Sequence, residues 1–273
     1  MPTLTVMRGP HRIHAEVEPA EGVPVVLLHG FPDNLHLYDR LLPHLAGRVP
    51  VVRFDFLGWG RSDKPAGYPY TATNQTGDLA AVVDAVADRV TLVAHDASGP
   101  PAIDWALDNP DRVARLVLLN TYYHWTFGLR RPPAIALYST PLVRNVARAV
   151  VRRRPDLDRR LYAWQVGAFV RDQAFVSQLY ADFPAARPAF WRLNDDLLGT
   201  VLNRRGRIGE LRRFQPPVQV IFGARDRYLN ARVARRFAAL FPHSELHLLP
   251  NAGHYVQVDE PAAVAGLVRG YGG

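Results

Sequence analysis

Three side chains of this sequence have types and spacing suited to nucleophilic catalysis: Asp96, Asp226 and His254. An ionised carboxylate can attack an electrophilic carbon without first losing a proton. A histidine oriented by a second carboxylate can activate a water molecule. The order nucleophile, acid, histidine along the chain is an established order for a catalytic triad. We therefore interpret Asp96 as a nucleophile, His254 as a base and Asp226 as the acid that orients the base.

The segment around Asp96 predicts a sharp bend between a strand and a helix. Residues 91–95 are short, mostly apolar and partly β-branched, which indicates a buried strand, and residues 97–107 predict a helix. The small residues Ala94 and Ser98 flank the reversal. This is the layout of a nucleophile elbow, with Asp96 at the apex.

Three further motifs follow predicted strands. The glycine turn in His29–Asp33 would let the backbone N–H of Phe31 point into the crevice. Paired with the N–H of Ala97, it would form an oxyanion hole. Asp226 and His254 lie in turns after the last two predicted strands. Open α/β sheets place their sites at such strand ends.

The positioning elements alternate along the first part of the chain. Apolar runs predict buried strands, and apolar residues at helical spacing between Asp78 and Val90 predict an amphipathic helix. The predicted parallel strands are Val23–Leu28, Val51–Phe54, Thr91–His95, Val113–Leu119, Val218–Phe222 and Leu246–Leu249. Such runs indicate an α/β fold, a mostly parallel sheet with helices on both faces. Residues 4–6 and 13–17 alternate like an antiparallel hairpin.

Between about residues 121 and 208 the signals are helical only. The predicted helices are Leu142–Val151, Leu157–Phe169, Ala174–Tyr180 and Phe190–Leu202. A helical block between two strands of one sheet predicts an inserted cap over the ligand crevice. We expect residues 1–121 and 209–273 to form the core and residues 122–208 to form the cap.

Composition excludes several classes. The chain has no cysteine, hence no disulfides and no cysteine metal site, which favours a cytoplasmic enzyme. Its histidines show no metal-ligand spacing, so we expect neither a metal nor another cofactor. No segment has the pattern of a signal peptide or a membrane span, so we expect no membrane association. The net charge of +8 comes almost entirely from arginines spread along the chain, and we expect no nucleic-acid partner.

One cluster of arginines lies within the predicted cap: Arg144, Arg148, Arg152, Arg153, Arg154, Arg159 and Arg160. Such a cluster can attract an acidic substrate. More often a run of this kind is the solvated face of helices, which is the interpretation we prefer.

With these motifs in place, the chain resembles α/β-hydrolase-fold enzymes of the aspartate-nucleophile branch, which includes the epoxide hydrolases and the haloalkane dehalogenases. His29–Asp33 resembles the epoxide hydrolases, whereas residues 55–65 and the stretch after His254 are closer to the dehalogenases. The resemblance implies an alkyl ester on Asp96, formed by attack at a saturated carbon. His254, oriented by Asp226, would then activate water to cleave that ester.

The leaving group separates the two subfamilies. Dehalogenases typically bind the halide through a tryptophan directly after the nucleophile and often an asparagine after His-Gly; here those positions are Ala97 and Phe31. Epoxide hydrolases instead use a pair of cap tyrosines as acids. In this chain Phe190–Arg192 stands where the second tyrosine of the pair is expected. The candidates are Tyr122, Tyr123, Tyr138, Tyr162 and Tyr180.

These departures favour an epoxide hydrolase acting on a small or mid-sized apolar molecule. A haloalkane dehalogenase is the alternative. A cofactor-independent lyase or a ligand-binding protein, in which Asp96 is not a nucleophile, also stays open.

Overall fold

The computed structural model describes residues 1–130, 132–170 and 172–270. Within these ranges the chain forms one eight-stranded sheet with helices packed around it. The strands are β1 (Thr3–Arg8), β2 (His11–Glu18), β3 (Val25–Leu28), β4 (Val51–Phe54), β5 (Val90–Asp96), β6 (Val113–Thr121), β7 (Val218–Gly223) and β8 (Ser244–Leu249).

The strand order in the sheet is β1-β2-β4-β3-β5-β6-β7-β8. In this order, the six strands from β4 to β8, with β3 among them, run parallel to one another. Strands β1 and β2 form the expected antiparallel hairpin, and β2 pairs antiparallel to β4. Every residue of β3, β4 and β7 is buried, because helices cover both faces of the sheet. The prediction of a mostly parallel α/β sheet is confirmed.

The helices follow the predicted order with differences at their ends. In chain order they are α1 (Leu42–Leu45), α2 (Ala72–Val86), α3 (Gly99–Asp108), α4 (Pro133–Ser139), α5 (Pro141–Arg153), α6 (Pro155–Gly167), α7 (Gln173–Tyr180), α8 (Phe183–Asn203), α9 (Ile208–Leu211), α10 (Ala231–Ala238), α11 (Val256–Asp259) and α12 (Pro261–Arg269). Helix α2 begins six residues before the expected Asp78, because the side chain of Thr71 accepts the N–H of Asn74 and caps it there. Helix α8 begins at Phe183 and continues through Pro188, which hid its first turns from the sequence pattern.

Helices α4 to α9 lie between β6 and β7, where the sequence predicts a cap. This segment is tied to the sheet by a stack of Phe31 on Phe190, with ring centroids 5.0 Å apart. It is also tied to α3, because Arg204 makes a largely buried ion pair with Asp104. The division into a core and a separate cap stays a prediction, and residues 271–273 of the predicted core lie outside the described residues.

The arginine cluster lies on α5 and α6, and its members differ in their surroundings. Arg144 and Arg148 both pair with Asp195 of α8, whereas Arg152 and Arg153 are exposed. No helix among the described residues is long and apolar enough to cross a membrane. The same residues contain no group of three or more metal-ligating side chains.

Candidate active site

Asp96 lies at the tip of a strained bend. It is the last residue of β5, and α3 begins three residues later at Gly99. Its backbone φ is +49°, a left-handed conformation that is uncommon for a residue other than glycine. Its side chain is 18 % exposed, whereas His95 and Ser98 on either side of the bend are fully buried. The carboxylate therefore faces a space that water can reach.

Neighbouring strands hold the bend in place. The hydroxyl of Ser98 donates to the carbonyl of Leu28, 2.9 Å away, and accepts the N–H of His95 at 3.0 Å. The hydroxyl of Thr121, at the end of β6, donates to the carbonyl of Asp96. A Cβ on Gly99 would lie only 1.9 Å from that Thr121 hydroxyl oxygen, so α3 can approach β6 this closely only with glycine there.

Of the two N–H groups predicted for the oxyanion hole, that of Phe31 donates to Oδ2 of Asp96 at 3.2 Å. That of Ala97 lies near the same carboxylate. Burial raises the pKa of Asp96, while the charge of His254 and these two N–H groups favour the ionised form. One carboxylate oxygen is thus held by the backbone N–H of Phe31.

His254 lies between the two carboxylates. Its Nδ1 is 2.7 Å from Oδ2 of Asp226, and its Nε2 is 3.8 Å from Oδ1 of Asp96. Burial would lower the pKa of His254, but the charge and hydrogen bond of Asp226, with a smaller contribution from Asp96, raise it to about 9. The free protein therefore carries a protonated His254 at neutral pH, and the distance of 3.8 Å leaves Asp96 without a direct hydrogen bond to it.

Asp226 is fixed by its backbone surroundings. Its Oδ1 accepts the N–H groups of Tyr228 and Leu229, at 2.8 and 3.0 Å. Burial would raise the pKa of Asp226, but the charge of His254 and these hydrogen bonds outweigh it and lower the pKa to about 2. The structure thus brings Asp96, Asp226 and His254 together, in the arrangement that the chain order predicts.

The sequence interpretation missed Asn120, which supports this arrangement. Its side-chain N–H donates to Oδ2 of Asp226 at 2.8 Å, and its side-chain oxygen accepts the N–H of Gly223 at 2.9 Å. Asn120 has φ +32°, a conformation that asparagine tolerates better than most residues. Its position in the sequence could have indicated this role, because Asn120 lies near the carboxyl end of β6 as Asp96 lies at the carboxyl end of the neighbouring strand β5.

Asp33 was also overlooked, since its motif drew attention to the N–H of Phe31 alone. Its carboxyl group is fully buried and accepts the hydroxyl of Tyr255, which is 3.1 and 3.3 Å from the two oxygens. Burial, with a contribution from the charge of Asp96, raises the pKa of Asp33 to about 7. A second carboxyl group, partly protonated at neutral pH, therefore lies near the candidate nucleophile.

The five candidate tyrosines occupy different environments. The hydroxyl of Tyr123 donates to Asp104 at 2.7 Å, that of Tyr180 to Asp158 at 2.9 Å, and that of Tyr162 to the carbonyl of Pro32 at 3.3 Å. Tyr138 packs edge-on against Phe190 and Trp191, near the Asp158–Arg187 ion pair. Burial raises the pKa of the Tyr122 phenol most, and the negative charge of Asp96 raises it further.

Aromatic rings lie near Asp96 and His254. Phe31 stacks on Phe190, and the ring of Phe169 lies 4.8 Å from that of His254. Phe31 and Phe169 are only partly buried. An apolar wall with a few convergent polar groups is typical of small-molecule sites.

Known proteins resemble this chain along most of its length. A family model described as alpha/beta hydrolase fold matches residues 23–261. Haloalkane dehalogenase 2 of Mycobacterium bovis is 29 % identical over 276 residues, covering 94 % of this chain and 90 % of the relative. The cis-3-alkyl-4-alkyloxetan-2-one decarboxylase of Shewanella oneidensis is 26 % identical over 285 residues, covering 92 % and 82 %. A solved structure of the epoxide hydrolase CorEH has a TM-score of 0.77 and 22 % identity, covering 99 % of this chain and 98 % of that one.

Proposed function

The chain belongs to the α/β-hydrolase-fold family, and we propose that it is a hydrolase that forms a covalent ester through Asp96 and acts on an epoxide. The observation that carries the proposal is the carboxylate at the elbow. It has the exposed, strained position of a nucleophile, one of its oxygens is held by the N–H of Phe31, and His254 lies 3.8 Å from the other.

In the first step Oδ1 of Asp96 attacks a saturated carbon of the substrate, and a carbon–oxygen bond of the ring breaks. The product is an alkyl ester on Asp96, and the former ring oxygen becomes an alcohol by taking a proton from one of the candidate tyrosines. Oδ2 stays near the N–H groups of Phe31 and Ala97, where the oxyanion of the second step develops. The same groups thus orient the nucleophile and stabilise the later intermediate.

Ester formation prepares His254 for the second step. The negative charge of Asp96 helps to raise the pKa of His254, and esterification removes that charge. The pKa of His254 therefore falls once the ester has formed, so the histidine releases its proton, which replaces the one given to the ring oxygen. Water then attacks the carbonyl carbon of the ester and passes a proton to Nε2, the acyl carbon–oxygen bond breaks, and the alkyl oxygen leaves with that proton as an alcohol. The carboxylic acid of Asp96 then returns its proton to His254. Asp226 holds Nδ1 at 2.7 Å throughout and keeps Nε2 free to act as the base.

The surroundings of Asp96 favour an oxygen leaving group. The side chains of Ala97 and Phe31 have no N–H to offer to a departing halide, and the backbone N–H of Phe31 is engaged by the carboxylate. The pKa of the Tyr122 phenol, by contrast, is raised by burial and by the negative charge of Asp96, so this group keeps its proton. An epoxide oxygen needs such an acid, whereas a halide departs without a proton. Apolar rings at Phe31 and Phe169 suit a substrate that is largely hydrocarbon.

The test is to trap the ester in a His254→Gln variant, which can form it but cannot activate water. An epoxide should add its full mass to the protein, because nothing leaves, and peptide mapping should place the addition on Asp96. An Asp96→Asn variant, matched in size, should show no addition. Absence of an adduct with every epoxide and alkyl halide tried would overturn the covalent mechanism.

Haloalkane dehalogenation is the second candidate, favoured by the 29 % identity to a curated haloalkane dehalogenase. The same trap separates the two, since an alkyl bromide would add its mass less that of HBr. Bromide adducts without epoxide adducts would reverse the choice of substrate. Formation of carbon dioxide from an oxetan-2-one, without any trapped ester, would favour a lyase instead, in line with the decarboxylase relative.

A further inference from the structure

We infer that His95 is a positioning residue that holds His254 at a distance from Asp96, through a hydrogen bond to the backbone carbonyl of His254. The inference deepens the proposed function and rests on it for its consequence in catalysis, because the distance in question separates the nucleophile from the base. The geometry itself can be tested without a substrate.

The hydrogen bond joins two segments that are far apart in the chain. Nε2 of His95 lies 3.0 Å from the carbonyl oxygen of His254, which is 159 residues away, and the bond is buried. A carbonyl oxygen can only accept, so Nε2 of His95 must carry the hydrogen. Burial, together with the positive charge of His254, lowers the pKa of His95 well below its usual range, so the ring is neutral and its Nδ1 carries no hydrogen. The tautomer of His95 is thereby fixed.

The strand that carries the nucleophile holds His95 in place. The N–H of His95 donates to the hydroxyl of Ser98 at 3.0 Å, and His95 pairs with Leu119 of β6 in the sheet. Asp96 is the next residue of the same strand. The ring centroids of His95 and His254 are 4.9 Å apart. One side chain of β5 thus connects the strand of the nucleophile to the main chain of the base.

The Nδ1 edge of the His95 ring packs against the turn that supplies the N–H of Phe31. A Cβ on Gly30 would lie only 2.7 Å from Nδ1 of His95, so the backbone of this turn lies close to the ring. Nδ1 has no hydrogen-bond partner among the residues that the structure describes. A buried acceptor without a partner destabilises the folded state, which an apolar side chain in this place would avoid. The bond made by Nε2 therefore explains a histidine here better than packing does.

The gap between base and nucleophile is wider than their attraction alone would leave it. His254 is positively charged at neutral pH, yet its Nε2 stays 3.8 Å from Oδ1 of Asp96. A hydrogen bond between such charges normally shortens to about 2.7–2.9 Å. Asp226 holds the far edge of the imidazole at 2.7 Å, and His95 holds the main chain of His254. These two anchors resist closure, and an Oδ1 that accepts no hydrogen bond from the imidazolium is the better nucleophile.

The experiment compares His95→Gln, whose amide N–H can reach the same carbonyl, with His95→Met, which has a similar length and no donor. The first readout is the pKa of His254, from NMR titration of protein labelled with ¹⁵N-histidine, with the signal assigned by its loss in His254→Gln. Three carboxyl groups face this histidine, those of Asp226, Asp96 and Asp33. Closure from 3.8 Å to direct contact with Asp96 should raise the pKa of His254 in His95→Met by about 1, whereas His95→Gln should match the unaltered protein.

The second readout is the rate of ester formation with 1,2-epoxybutane, followed by rapid-quench mass spectrometry. The closer ion pair stabilises the Asp96 carboxylate before attack by the same free energy that raises the pKa of His254. His95→Met should therefore form the ester about tenfold more slowly, and His95→Gln should stay within about threefold of the unaltered protein.

An unchanged or lower pKa of His254 in folded His95→Met would overturn the inference, because a role in packing alone changes the unfolding midpoint without drawing the base toward the nucleophile. Equal pKa values in the two variants would overturn it as well. If His95→Met does not fold, His95→Asn takes its place in the comparison, since this shorter amide cannot reach the carbonyl. If no epoxide or alkyl halide forms an ester with the unaltered protein, the proposed function fails, while the pKa comparison still decides whether His95 sets the distance.

Discussion

Replacing Asp226 by asparagine should stop the second half of the reaction and leave the first half nearly intact. Oδ1 of Asp226 accepts two backbone N–H groups, so an asparagine at this position must keep its oxygen there. Its NH₂ group then takes the place of Oδ2, where it faces Nδ1 of His254 and loses the hydrogen bond from Asn120. His254 would have to accept at Nδ1 and carry its proton on Nε2, which can no longer take a proton from water.

The magnitude follows from the charges. The pKa of Asp226 falls from 3.8 to about 2, whereas that of His254 rises from 6.5 to about 9. The two shifts differ because burial opposes both and other groups act on each residue, Asp96 and Asp33 on His254 and two backbone N–H groups on Asp226, and we use the smaller shift. It corresponds to about 2 kcal/mol, or roughly 30-fold in rate. The wrong tautomer adds to this, and we expect ester hydrolysis to slow by about 10³- to 10⁴-fold.

The assay is rapid-quench intact-mass spectrometry with an epoxide. The Asp226→Asn variant should accumulate the full ester within one turnover, at a rate within about tenfold of the unaltered protein, and then hydrolyse it slowly. The first half-reaction is the internal control for folding and binding. Equal slowing of ester formation and ester hydrolysis would refute the reasoning, because Asp226 acts on His254 and not on the attacking carboxylate.

Two further changes test the surroundings of the site. Asp33 keeps its proton to about pH 7 in the folded protein but loses it near pH 3.8 in the unfolded protein. Between these two pH values its burial lowers the free energy of unfolding as the pH rises, by up to about 4 kcal/mol. Asp33→Asn should therefore gain stability relative to the unaltered protein between pH 4 and 7 in urea unfolding, and parallel pH curves would contradict this. Gly99→Ala places a Cβ where the Thr121 hydroxyl lies, 1.9 Å away, and should cost about 1–3 kcal/mol of unfolding free energy and slow ester trapping. An unchanged unfolding curve would show that α3 and β6 can separate without cost.

The sequence was sufficient for the sheet and for the polar groups that stand at the ends of its strands. An uninterrupted apolar run such as Val25–Leu28 predicts a buried parallel strand, because such a strand lacks a solvent-facing side. The bend at Asp96 was also predictable from the sequence, because a strand and a helix meet there with small residues on either side. These are local patterns, carried by neighbouring residues.

Helix ends were less predictable. Pro188 obscured the first turns of α8, because a proline inside a helix forfeits a hydrogen bond that the surrounding packing has to offset. The sequence pattern also gave no indication of α4 between β6 and α5. Tertiary contacts decide such cases, and they are not visible in the spacing of apolar residues.

What the sequence determined by itself was the set of groups and their order: a carboxylate at a bend, an acid and a histidine after later strands. What only the tertiary structure decided was their relation in space, including the 2.7 Å contact of Asp226 with His254 and the hydrogen bond from Asn120, which is 106 residues from its acceptor. Hydrogen bonds and charges act over a few ångströms, so their effects depend on folded distances that separation along the chain does not encode.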